Sequence, residues 1–284
     1  MARQRVFVGI GEALLCEYPD RVEAGGLAVL FARHAVQLGH VGVAVSRLGQ
    51  DPAANELLRQ LRDLGIRLDA LQSDPDLATG RLIVKSVAGK TSRTLTSRAA
   101  FDNLQWDFDL VDTAQQADAV LFGSLARRDG LSRSIIKRFL AECLSAVRVF
   151  DMTNRASEAI DRVEARTGLE FAEGLIADAS ALKALAPGWN GRDVRQALPE
   201  IMRGSNLAFV ISLERGDCTQ TMTAHASGQS WRAAGSYPSA QHDAAIAGLL
   251  HGVVNGWDFP RSLDMAVRLA EHAAKKPGEK MQID

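Results

Sequence analysis

The fold is decided by the stretch VFVGIGEALLCEYPDRVEAGGLAVLFARHAVQLGHVGVAV, residues 6–45. Residues 6–10 form an apolar run that favours a buried strand. Small and apolar side chains recur at helical spacing over residues 27–38, which predicts a helix, and residues 41–45 predict a second buried strand. An amphipathic helix over 55–64 completes a second strand-helix unit, and this alternation indicates a parallel, doubly wound sheet.

The same alternation continues along the rest of the chain. Further buried strands are predicted at residues 119–122, 147–150, 175–177 and 207–213, and antiparallel edge strands at 219–224 and 230–233. Further helices are predicted at residues 132–144, 243–254 and 261–274. The pattern is therefore that of an α/β protein over its whole length.

Residues 79–98 interrupt this alternation. They contain β-forming residues, a turn at Gly89-Lys90 and a threonine-rich segment, which together predict a hairpin with a polar face. Such a hairpin is either a flap over a binding site or an ordinary surface hairpin, and the pattern alone favours neither.

Composition excludes several classes of function. The chain has 284 residues, 46% of them hydrophobic, which is enough for one large α/β domain or two modest ones. Its 33 basic and 34 acidic residues leave a net charge of −1, so nucleic acids and membrane surfaces are not expected partners. No apolar run approaches the length of a membrane span. The three scattered cysteines and the lack of a secretory leader indicate a cytoplasmic protein.

Candidate chemistry lies just after the strands, because open parallel sheets bind ligands beyond the carboxyl ends of their strands. Asp243 begins a helix after a loop of small residues, where it either accepts a proton from a substrate hydroxyl or only stabilises the helix start. His242, beside Asp243, is either a group that titrates near neutrality or a solvated side chain, which is more common for a lone histidine at a helix start. The pair Gly25-Gly26 either admits a ligand close to the backbone or makes a turn.

Other motifs are weaker. The arginines at 127, 128 and 133 are interpreted as a solvated helix face. The histidines and cysteines lack metal-ligand spacing, so no metal-binding residues are assigned. The sequence also lacks a dinucleotide fingerprint, a phosphate-binding P-loop and a nucleophile elbow.

Taken together, the motifs resemble the ribokinase (PfkB) carbohydrate kinases, and most closely their fructokinase-like branch. The resemblance extends from residue 6 to about residue 278. It is carried by GIGEALLCEYPD (9–20), AGGLAVLFARHAVQLG (24–39), SRLGQDPAANELLRQLRDLGI (46–66), ATGRLIV (78–84), RAAFDNLQWD (98–107) and ADAVLFGSLARRDGLSRSIIKRFL (117–140).

This resemblance implies a single ribokinase-like domain over residues 1–284, built as a three-layer αβα sandwich with a mostly parallel central sheet. A small β-sheet lid would come from about residues 12–22 and 79–98. The implied reaction is transfer of a phosphoryl group from ATP, with Mg²⁺, to a hydroxyl of a sugar-like small molecule. The family's lids also imply a homodimer that pairs through this sheet.

The resemblance assigns roles to individual residues. Asp243 would be the general base that takes the hydroxyl proton. The sugar-binding positions are Gly25, Gly26, Arg98, Asp151 and Arg155, and the nucleotide-binding positions are Arg215, Gly216 and Gly278. The turn that would cradle the transferring phosphoryl group is Ala240, Gln241 and His242.

Several of these positions depart from the family pattern. Cys16 stands where a sugar-binding aspartate is expected, Leu30 and Thr153 replace asparagines, and Glu214 replaces a threonine beside the nucleotide phosphates, which it would repel. The glutamate of the magnesium-organising motif is missing from residues 178–181. Gln241 and His242 replace glycines, so we expect them to strain or block the phosphate turn. Two hypotheses follow: a working sugar kinase with Asp243 as base, or a kinase-fold protein without catalysis that acts as a small-molecule sensor or partner subunit.

Overall fold

A computed structural model describes residues 4–87, 90–153, 162–216 and 219–283. The strands, in chain order, are β1 (Val6–Ile10), β2 (Leu14–Glu17), β3 (Val22–Gly25), β4 (Val41–Gly49), β5 (Leu71–Asp74), β6 (Gly80–Val87), β7 (Lys90–Leu95), β8 (Ala119–Gly123), β9 (Val147–Asp151), β10 (Gly174–Asp178), β11 (Phe209–Arg215), β12 (Gln220–Ala226) and β13 (Gln229–Gly235). The helices are α1 (Leu27–Gln37), α2 (Pro52–Asp63), α3 (Phe108–Gln116), α4 (Gly130–Glu142), α5 (Arg162–Leu169), α6 (Ala179–Leu185), α7 (Leu198–Met202), α8 (His242–Val254) and α9 (Phe259–Lys275).

The strands form two sheets. The larger sheet has the order β13-β12-β11-β10-β9-β8-β1-β4-β5, and the smaller has the order β3-β2-β6-β7. Strand β1 pairs in parallel with β4, and β10 pairs in parallel with both β9 and β11, whereas β12 and β13 join antiparallel at one edge. A large, mostly parallel sheet flanked by helices, with a small second sheet, confirms the predicted fold class.

Most predicted elements are confirmed, with ends that differ by a few residues. The small sheet combines β2 and β3 with the predicted hairpin, whose turn residue Gly89 lies outside the described residues. Helices α3 and α6 are not predicted by the sequence pattern because they have only nine and seven residues. Each begins instead at an aspartate, Asp107 or Asp178, whose carboxylate accepts hydrogen bonds from the first-turn amides.

The chain divides into two compact units. The first consists of Met1–Val36, His40–Ala117 and Leu121–Ser145, and the second of Gln37–Gly39, Asp118–Val120 and Ala146–Asp284. That residues 1–284 form one domain stays a prediction. In the part of the chain that the structure describes, no helix is long and apolar enough to cross a bilayer.

In the first unit, one carboxylate joins α2 to the start of β6. Asp51 begins α2 and accepts hydrogen bonds from the Ala54 amide and from the amide and hydroxyl of Thr79, each at 2.8 Å. Burial alone would raise the pKa of the Asp51 carboxyl, but the bonds from Thr79 and Ala54 outweigh it and hold the pKa below its ordinary value. The hydrogen bonds from Thr79 to Asp51 therefore attach the start of the hairpin to the start of α2.

The base of the hairpin is held by a buried ion pair that corrects a sequence-based expectation. Arg128 was expected on a solvated helix face, but it lies against Asp102, which is only 3% exposed. Its guanidinium donates Nε to Oδ1 at 2.9 Å and Nη2 to Oδ2 at 2.7 Å, and Nη2 also donates to the Thr96 carbonyl at 3.0 Å. The neighbouring Arg127 is buried as well, and Arg133 donates to its carbonyl oxygen. Arg128 thus connects Asp102 to the residue that follows β7, and the three arginines do not form a solvated helix face.

In the second unit, α8 packs closely on α9. A methyl group on Gly248 would lie 2.6 Å from the Met265 carbonyl oxygen, and one on Gly252 would lie 2.8 Å from the Ser262 Cα. The two helices can approach so closely only because these positions lack side chains. This contact fixes the axis of α8, and so the position of its first turn, which contains His242 and Asp243.

We predict that Arg128→Ala lowers the free energy of unfolding by about 3–5 kcal/mol, because it leaves the Asp102 carboxylate buried without its cation. Chemical denaturation followed by circular dichroism measures the change. Arg59→Ala is the matched control, since Arg59 pairs with Glu56 and Asp63 on an exposed face of α2 and should leave the unfolding midpoint almost unchanged. Equal losses of unfolding free energy in the two variants would contradict a structural role for the Arg128–Asp102 ion pair.

Candidate functional site

Parallel strands in the second unit bring candidate residues to one edge of the sheet. Strands β9, β10 and β11 run in parallel, and their carboxyl ends are Asp151, Asp178 and Arg215. Because ligands of open parallel sheets bind at this edge, these ends define the candidate site of the unit.

Asp151, Thr153 and His242 form a hydrogen-bonded cluster at this edge. Oδ1 of Asp151 accepts bonds from the Thr153 amide at 2.9 Å and from its hydroxyl at 2.7 Å. Nε2 of His242 lies 3.1 Å from the Thr153 hydroxyl and 3.4 Å from Oδ2 of Asp151. His242 is only 8% exposed, so its interpretation as a solvated side chain is wrong. Asp151, which the resemblance assigns to sugar binding, therefore contacts His242, which stands where that resemblance implies a glycine.

Asp243 lies in the first turn of α8 and is 2% exposed. Acidic side chains in the first turn of a helix interact favourably with its dipole. The position of Asp243 fits a general base, and it fits the helix-stabilising role equally well.

The turn before Asp243 differs from the expected phosphate cradle. Residues 239–241 form a 3-10 turn in which the Gln241 amide donates to the Pro238 carbonyl at 2.9 Å. Gln241 has φ −97°, so the strain that we expected there is absent. Its side-chain oxygen Oε1 is enclosed without a hydrogen-bond partner among the described residues, which costs about 1–3 kcal/mol unless a ligand or water bonds it. The Gln241 amide is committed to the turn, and Ala240 is exposed.

The predicted nucleotide residues lie at the end of β11 and near the C-terminus. Arg215 is 38% exposed, and Nη2 lies 3.9 Å from Oδ2 of Asp178. Glu214, expected to repel phosphates, pairs instead with Arg232 at 3.0 Å. Gly216 is exposed and its amide donates to the Thr219 carbonyl, while Gly278 has φ 84° in an open, exposed segment.

The residues at this edge do not fit a Mg²⁺ ion. Asp178 is the carboxylate nearest the expected magnesium motif, but Oδ1 accepts from the amides of Ser180 and Ala181. Its Oδ2 faces Arg215, so coordination of a cation would compete with an existing charge pair. Within residues 4–87, 90–153, 162–216 and 219–283, no group of three or more His, Cys, Asp or Glu side chains could hold a metal ion.

Gly25 and Gly26, in the first unit, lie between two short strands and α1. Gly25 packs directly on the Cys16 sulfur, so that a methyl group at Gly25 would overlap Sγ. Gly26 has φ 89° and faces the Glu12 carbonyl, and Glu12 Oε1 accepts from the Leu27 amide at the start of α1. The glycines thus make a turn and a close contact, and their role in ligand binding stays a prediction.

Cys16 stands where the resemblance implies a sugar-binding aspartate. Burial, with a smaller contribution from Glu23, raises the pKa of the Cys16 thiol to about 12. The group is therefore neutral and cannot give the charge-assisted bonds of an aspartate. Leu30 is half-buried and Arg98 is exposed. Arg155 lies outside the described residues.

Sequence reasoning missed the contact between His242 and the Asp151–Thr153 pair. The positions lie 89 residues apart along the chain, so no local pattern links them. Only the rule that strand ends meet at one edge placed Asp151 near the start of α8.

Comparison with known proteins gives a likeness in fold. No family model matches the chain, and no curated protein matches it. Among solved structures, a 2-dehydro-3-deoxygluconokinase from Thermotoga maritima is 17% identical with a TM-score of 0.79, over 99% of this chain and 97% of that one. A PfkB family carbohydrate kinase from Listeria grayi is 16% identical with a TM-score of 0.80, over 99% and 97%. A fructokinase from Xylella fastidiosa with bound ATP is 16% identical with a TM-score of 0.77, over 97% and 94%.

These likenesses confirm, at the level of fold, the resemblance to the PfkB carbohydrate kinases. They extend over almost the whole of each chain. Identities of this size show the fold alone.

We predict that Gly25→Ala destabilises the protein by about 1–3 kcal/mol, because the new methyl group overlaps the Cys16 sulfur. The double variant Gly25→Ala/Cys16→Ala removes that overlap, so its loss should be smaller than the sum of the two single losses. Gly26→Ala is the contrasting variant, because its clash is with the Glu12 backbone and its φ is positive. Denaturant titrations of the four proteins and the wild type measure this, and strict additivity for Gly25 and Cys16 would contradict the contact.

Proposed function

We propose that this protein is a carbohydrate-kinase-like protein that binds a sugar-like small molecule and transfers a phosphoryl group to it from ATP. The observation that carries the proposal is the buried Asp243 in the first turn of α8, beside the carboxyl edge of a fold shared end to end with sugar kinases. Asp151 supplies a second buried carboxylate at the same edge.

In the proposed reaction Asp243 acts as the general base. A ligand hydroxyl gives its proton to the Asp243 carboxylate while its oxygen forms a bond to the γ-phosphorus of ATP. The bond between that phosphorus and the bridging oxygen breaks, and ADP leaves with the electron pair. Arg215 is a half-exposed cation at the end of β11 and is suited to an anionic phosphate of the nucleotide. No step is assigned to Mg²⁺.

A second candidate function, binding without phosphoryl transfer, is favoured by the turn before Asp243. Transfer needs donors directed at the developing charge, and loss of one such donor costs about 2.7–4 kcal/mol of transition-state stabilisation. The Gln241 amide already donates to Pro238, and the side chains of Gln241 and His242 lie where the resemblance expects glycines. In this second function the protein binds a sugar-like small molecule and acts as a sensor or partner subunit.

We predict that the purified protein forms ADP from ATP in the presence of one of D-fructose, D-ribose or 2-keto-3-deoxygluconate. Asp243→Asn should lower kcat by about 10²–10⁴-fold, because the general base is removed. Asp264→Asn, at an exposed position on α9, is the control and should leave kcat unchanged.

Calorimetric titration separates the two candidates. A sugar that binds, with neither saturable ATP binding nor ADP formation, would contradict the kinase and support the binding protein. ADP formation that Asp243→Asn abolishes would contradict the binding protein.

A further inference from the structure

We propose that His242, oriented by Asp151 and Thr153, presents its second ring nitrogen, Nδ1, as a hydrogen-bond acceptor for a hydroxyl of the bound ligand. This deepens the proposed function and rests on it only in the identity of the ligand. The dyad of a buried aspartate and a histidine is a property of the chain itself.

The proton on His242 can be assigned from its partners. As a carboxylate, Asp151 accepts hydrogen bonds and donates none, so the Thr153 hydroxyl donates its proton to Oδ1 of Asp151. The Thr153 oxygen is then an acceptor toward His242, and Oδ2 of Asp151 is a second acceptor. Both groups near Nε2 therefore require a proton on Nε2. In the neutral ring, Nδ1 carries the lone pair.

Nδ1 is left open for a ligand. Within the described residues this atom has no hydrogen-bond partner, and it is not among the enclosed polar atoms that lack one. The His242 side chain is 10% exposed, and a ligand that reaches Nδ1 there meets an acceptor rather than a donor.

The chemistry of Nδ1 selects the ligand group. A bare ring nitrogen calls for a ligand group that donates a hydrogen bond, and it repels the oxygens of a phosphate or carboxylate. The ligand group expected here is therefore a neutral polyol hydroxyl.

The test is the tautomer of His242, read from its ring ¹⁵N resonances at about pH 8.5, where a free imidazole is neutral. The resonances are assigned by their loss in His242→Asn. We expect a proton on Nε2 and a bare Nδ1 in the ligand-free protein. A proton on Nδ1, alone or with one on Nε2, would overturn the proposal whether or not the protein proves to be a kinase.

Three variants test the positioning. Asp151→Asn should raise the share of the Nδ1-protonated form, because an amide can donate to Nε2. Thr153→Ser keeps the hydroxyl and Thr153→Val leaves Oδ2 of Asp151 as an acceptor, so both variants should keep the Nε2-protonated form. Circular dichroism confirms that each variant is folded, and an unchanged tautomer in Asp151→Asn would refute the positioning role of Asp151.

The ligand assignment is tested on the same resonances with D-fructose, D-ribose and 2-keto-3-deoxygluconate. A hydroxyl donor should shift Nδ1 of His242 and leave the ring of His272, on the exposed end of α9, unmoved. An Nδ1 resonance unaffected by all three sugars would overturn the ligand assignment. Loss of ADP formation alone would instead count against the kinase and leave the dyad standing.

Discussion

The close packing of α8 on α9 is the constraint on which the candidate site depends. Because Gly248 and Gly252 lack side chains, α8 lies directly against the backbone of α9, and its first turn cannot shift independently. His242 and Asp243 are therefore held at the carboxyl edge of the sheet by helix packing, not by the loop that precedes them.

The loop before α8 differs from the glycine-rich turn that the resemblance to the PfkB kinases implies. A turn that closes on its own backbone, through Gln241 and Pro238, offers fewer amide donors to an anion. The side chains of Gln241 and His242 occupy the start of α8 instead. We propose that recognition at this edge relies on His242 as an acceptor suited to hydroxyls, rather than on backbone donors suited to phosphate. Asp151 is buried at the same edge, and its carboxylate contacts the ring of His242.

The fold could be predicted from the sequence because its signals are local and repeated. Apolar runs such as Val6–Ile10 mark strands, and amphipathic segments such as residues 55–64 mark helices. The candidate site could be predicted only in part. Asp151 and Asp243 follow from their place after a strand and at a helix start, but the contact of His242 with Thr153 and the pairing of Arg128 with Asp102 join distant segments. Such pairings depend on tertiary packing, and no spacing rule in the chain encodes them.

The most direct test of this account is amide hydrogen exchange of Gln241, measured by NMR with and without ATP. If the turn is closed on Pro238, the Gln241 amide should exchange slowly in the free protein, and its rate should not change when ATP is added. Rapid exchange in the free protein, with strong protection on addition of ATP, would contradict the account, because the amide would then be available to hold a phosphate.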